Sequence, residues 1–170
     1  MKAYEVFRHL ANDEIDALVV RACEDEELPD RLAGGVLQYQ AIPLKRFERL
    51  PDEARRAYVR RTLRDKRATD LSLYVLSAGL TRAKGEMISG FLDAIGLPHE
   101  GPTLSFETEI PEPAADAVAK GIDAVLAKHP ARDVTLYLHA FASQPDVHWK
   151  SLDERLETDA RLALEDRSGG

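Results

Sequence analysis

With 170 residues, 44% of them hydrophobic and 31% charged, the chain is long enough to bury a core without disulfides or metal. Its net charge is −7, and its single cysteine, Cys23, excludes an internal disulfide and any multi-cysteine zinc site. No apolar run approaches about 18 residues, and the opening MKAYEVFRHLANDEID lacks the apolar centre of a signal peptide, so the expectation is a cytoplasmic protein with no membrane span.

Apolar spacing predicts helices along most of the chain. Tyr4, Phe7 and Leu10 form a first short stripe. Asn12 or Asp13 is placed to cap a second helix with Ile15, Leu18, Val19 and Ala22 on one face. The run Glu24-Asp25-Glu26-Glu27 ends it, and these acids would raise the thiol pKa of the neighbouring Cys23 rather than activate it. Pro29 suits the first turn of a third helix carrying Leu32, Val36 and Leu37, with Gly34-Gly35 as its weak point. Pro43 opens a turn through Leu44, Phe47 and Leu50. Pro51 then starts a basic helix, PDEARRAYVRRTLRDKRA, read as 51–68.

In the centre, Thr69 or Asp70 caps DLSLYVLSAGL, which is apolar nearly all round and so predicted to be buried. Gly79 is read as its left-handed end. Thr81 is read as the cap of a second helix with Met87, Ile88, Phe91, Leu92 and Ile95, the two forming a helical hairpin. Gly96 and Pro98 stop that helix. Prolines 102, 111 and 113 bracket TLSFETEI, an extended connector near 100–113 with Leu104, Phe106 and Ile110 alternating. Helical spacing resumes with Ala114, Ala117, Val118, Ile122 and Val125, ending near His129-Pro130. DVTLYLHAF fits either period and is read as helix from Val134, Leu138 and Phe141. Ser151 and Glu154 have capping-box spacing before Leu152, Leu156, Ala160 and Leu164, with Trp149 stapling that helix to the core. The sum is an all-α fold: one domain, 1–166, of about seven to nine packed helices, with a flexible tail at 167–170.

Charge is distributed unevenly. Residues 45–67 hold ten bases, eight of them arginine, against four acids, whereas 1–44 and 86–170 are strongly acidic. At 100° per residue, Arg56, Arg60, Arg64 and Arg67 fall within about 80° of one another, with Arg61 widening the sector. Tyr58, Val59 and Leu63 are read as lying broadly opposite, which would leave a guanidinium stripe facing water. Planar guanidinium donors suit carboxylate and phosphate. Three uses follow: pairing with the chain's own acids, such as those of the C-terminal helix or Glu24–Glu27; docking an acidic partner or a second copy; or binding nucleic acid. The last is the weakest, because the chain is acidic overall and Tyr58 is the only aromatic in the stripe.

Catalytic motifs are absent from the sequence: it contains no HExxH, GxSxG, GxGxxG or calcium-loop pattern. GLTRAKGE has a superficial phosphate-loop look but lacks the GKS/T ending and follows a helix, so Arg82 and Lys84 are read as solvent-facing. His99, His129, His139 and His148, with Asp146, could form a zinc site only if four separate elements converged. His139 is read instead as a core or boundary residue and His129 as a helix-end cation. Glu107, Glu109 and Glu112 are close in sequence but most simply solvated. The expectation is a non-catalytic protein without a cofactor or metal. It associates through Arg56, Arg60, Arg61, Arg64 and Arg67 with an acidic protein surface or a second copy. Nucleic-acid binding and a metal-dependent enzyme with a nonlocal histidine site stand as alternatives.

Overall fold

The computed structural model describes residues 1–104 and 110–165. Phe106, Glu107 and Glu109 of the connector, and the 167–170 tail, lie outside the described residues. The fold is all-α: nine α-helices occur among the described residues, and the only sheet among them is a two-residue hairpin. Two compact units are formed by Lys2–Gly79 and by Leu80–Glu165 with Met1.

The first unit begins with α1 (Ala3–Arg8) and α2 (Asn12–Ala22), whose residues Val6, Phe7, Ile15, Leu18 and Ala22 are buried. The α2 cap differs from expectation. Ala11 is the N-cap, and the Glu14 carboxylate reaches back to accept from its backbone N–H at 2.8 Å. Helix α3 (Leu28–Tyr39) carries Pro29 in its first turn, as its sequence predicts, and buries Leu28, Leu32 and Val36. Cys23 caps the end of α2, half-buried, and burial pushes its thiol pKa up.

A short α4 (Leu44–Glu48) precedes α5 (Asp52–Leu63), and here the expected 51–68 helix is corrected. The α-helix stops at Leu63. Asp65 then accepts from the backbone N–H of Arg67 at 2.9 Å and starts a separate 3-10 turn, Lys66–Ala68. A short carboxylate that bonds nearby backbone competes with helix continuation. Arg67 therefore sits off α5.

The expected break at Gly79 is also corrected. Helix α6 (Thr69–Ile95) runs unbroken through Gly79 and Thr81 and consists of two helical segments that meet at a kink at Lys84, where φ is −134° and ψ is 27°. Gly79 is needed for closeness rather than for a left-handed turn: a Cβ there would lie 2.7 Å from the Leu18 carbonyl oxygen. Lys84, expected in solvent, is half-buried and donates to Asp133 at 2.6 Å.

In the second unit Gly96, at φ 75°, ends α6 as predicted. His99–Glu100 (β1) and Thr103–Leu104 (β2) pair antiparallel, so the start of the connector has the strand partner its sequence does not reveal. Helices α7 (Ala115–Leu126) and α8 (Ala131–Ala142) follow, and α8 is buried continuously from Val134 to Phe141. Phe91, Tyr137, Phe141 and Trp149 form a chain of aromatic contacts at 4.9–6.1 Å between ring centres. Trp149 is buried and its indole N–H donates to Ile110 O at 3.1 Å, which is the stapling role expected of it. Its neighbour α9 (Lys150–Thr158) is not capped by a Ser151–Glu154 box. Glu112, brought from before α7, accepts from the Ser151 backbone N–H at 2.8 Å and from its hydroxyl at 2.7 Å. The helix ends at Thr158, short of Leu164, and a 3-10 turn, Ala160–Leu162, follows.

Candidate functional site

The basic cluster occupies the first unit, and its arginines have separate surroundings. Arg60 is 8% exposed, and its guanidinium meets Asp16 at 3.4 Å and Glu53. Leu63, expected on the far side of α5, is fully buried too. Residues three apart are only about 60° apart around a helix, so one inward face takes both. A buried guanidinium is tolerable only when paired, and two carboxylates meet that need.

Arg64 is half-buried and turned to backbone. Its Nε donates to Phe7 O at 3.1 Å and its Nη2 to Leu10 O at 2.8 Å, at the C-terminal end of α1. Arg8 returns the contact, donating from Nε to Arg64 O at 3.1 Å. The last carbonyls of a helix lack internal donors and carry partial negative charge, so cations there satisfy both needs. Arg67 donates to Tyr39 O at the end of α3, at 3.0 Å, and chelates Asp65. That guanidinium, with the Arg67 N–H, holds the Asp65 carboxyl down to about 2. Ser72 Oγ lies 2.8 Å from Leu63 O and serves another carbonyl at the end of α5.

Two of the five predicted residues are left over. Arg56 and Arg61 are exposed and make no ion pair or hydrogen bond among the described residues; Arg61 stacks over Tyr58, 5.4 Å from the ring centre. Lys66 is likewise exposed and unpaired among the described residues. The stripe thus divides into structural arginines (60, 64 and 67) and free cations.

Arg60, Arg61 and Arg64 come together in one open groove of about 1040 Å³, also lined by Arg8, His9 and Lys66, with Asp65 as its one acid. Arg8 and His9 were not singled out in the sequence. The place of Arg8 rests on its contact with Arg64, 56 positions away, and the only local sign was a base in the last turn of α1. Arg56 lines a different groove, between α2 and α5.

The histidines do not converge. His139 is buried in α8 with Nε2 3.4 Å from Leu162 O, and His148 is exposed. His129 is half-buried just beyond α7. His99 bridges Gly101 O at 2.7 Å and Asp93 at 3.0 Å, and both contacts raise its pKa, Asp93 the more. Among the described residues no group of three or more His, Cys, Asp or Glu side chains is arranged to hold a metal ion. No helix among them is long and apolar enough to cross a membrane. No protein-family model, curated protein or solved structure matches the chain.

Proposed function

We propose that the chain is a cytoplasmic association protein whose basic groove docks an acidic protein surface, on a partner or on a second copy. The observation that carries this reading is the concentration of cations in one concave site around α5, in a chain of net charge −7. Arg60 and Arg64 are held by internal contacts, which leaves Arg61 and Lys66 as the solvent-facing donors. Such charges steer an acidic surface and set its register more than they add affinity.

Nucleic acid is favoured less, since several of the cations already serve helix-end carbonyls and no Phe, Tyr or Trp is among the groove's lining residues. The test compares a glutamate-rich peptide with single-stranded DNA of equal charge, by fluorescence anisotropy at about 50 and 300 mM salt. Peptide binding that weakens with salt and vanishes in Arg61→Glu/Lys66→Glu supports the proposal. Preference for DNA, or no peptide binding at the lower salt together with a monomer in sedimentation, overturns it.

A further inference from the structure

A second groove, independent of the association reading, lies along the other side of α5, where α2 passes it. It has a volume of about 770 Å³. Ala17, Val19 and Val20 of α2 and Val59 of α5 supply apolar lining, and Val20 is 67% exposed although it sits inside a regular helix. A single exposed valine is ordinary on a protein surface. Here it is part of a concave apolar strip with half-buried Val19 and Val59 beside it, which is the composition of a ligand cleft rather than of a solvated helix face.

The charged rim decides the ligand. Asp16 is engaged by Arg60, Asp52 by Arg55, and Arg21 by Glu24. Arg56 remains, exposed and without an ion pair among the described residues. The groove therefore presents an apolar strip beside one uncompensated guanidinium. Its complement has an apolar body and a single anionic head that can accept two parallel N–H bonds. We propose that this groove binds an aliphatic carboxylate, with the chain along Val20 and Val59 and the head on Arg56.

Decanoate, below its micelle concentration, is the probe, with decanol as the neutral and decyltrimethylammonium as the cationic control. Methyl chemical shifts of the full chain locate binding without any substitution. The expected result is a saturable shift of Val20 and Val59 methyls, with decanoate bound roughly tenfold more tightly than decanol. Arg56→Gln removes that preference and leaves decanol binding unchanged. Val20→Ser weakens both ligands. Arg61→Glu, in the basic groove, leaves decanoate binding intact even where it abolishes peptide binding, so failure of one proposal is separable from failure of the other. Shifts absent at about 1 mM decanoate, equal binding of the cationic control, or shifts elsewhere than at α2 and α5 would overturn the assignment.

Discussion

Arg8 and Arg64 cap each other's helices: each guanidinium donates to backbone carbonyls at the end of the helix that carries the other. The contacts span 54–57 positions of sequence and join the C-terminal ends of α1 and α5. Arg64, expected in a stripe facing water, and Arg8 are therefore part of what holds the first unit together, and both line the basic groove.

Removing one member exposes that role. Arg64→Ala leaves the Phe7 and Leu10 carbonyls without their charged donor and is expected to destabilise by about 1.5–3 kcal/mol in urea unfolding. Arg61→Ala, which breaks no hydrogen bond, should stay within about 0.5 kcal/mol of the parent. Arg64→Lys should recover little, because a single ammonium cannot span two carbonyls as the planar fork does. Equal stability of the Arg61 and Arg64 variants would refute the capping role.

Two glycines of α6 give opposite outcomes for the same substitution. Gly79→Ala places a methyl 2.7 Å from the Leu18 carbonyl oxygen, a backbone atom that cannot turn away. Crowding of about 1–3 kcal/mol then outweighs the helix-propensity gain. Gly90→Ala meets nothing within 4 Å and should stabilise by about 0.5–1 kcal/mol. Thermal unfolding of both variants decides, and a stabilised Gly79→Ala protein would show that α6 does not pass Leu18 so closely.

Trp149→Phe tests the staple. The substitution keeps an aromatic ring beside Phe141 but leaves the Ile110 carbonyl without its indole donor. A loss of about 1–3 kcal/mol is expected, against about 3–5 for Trp149→Ala, which also opens a cavity. Denaturant curves followed by circular dichroism measure both, since the only tryptophan reporter is gone.

His99 gives the second unit a pH dependence. Its folded-state pKa is raised above the ordinary 6.5, first by Asp93 and then by Gly101 O. The contribution to stability is fully present below the unfolded value and is lost as pH rises through the folded one. Asp93→Asn should move the His99 titration, followed by its ring proton resonances, back toward 6.5 and flatten the loss of stability over that window. An unchanged midpoint in the variant would assign the shift elsewhere.

Much of the fold was legible because its signals are local. The helix start at Pro29, the stop at Gly96 and the periodicity of α7 each need only a few neighbouring residues, and the structure follows them, whereas the run that forms α8 fits either period and is buried on every side. The all-α class and the crowding of cations around residues 45–67 are likewise properties of the sequence by itself.

What only the tertiary structure decided was the partner of each charge and the end of each ambiguous helix. Gly79 has the same sequence signature whether it ends a helix or lets Leu18 approach, and only packing distinguishes the two. The arginines of α5 share a face by spacing, yet Arg60 is buried between carboxylates, Arg64 caps a distant helix, and Arg56 and Arg61 stay free. Periodicity places a side chain on a face, but a guanidinium's role depends on which acceptors arrive from elsewhere in the chain, and those come from residues tens of positions away.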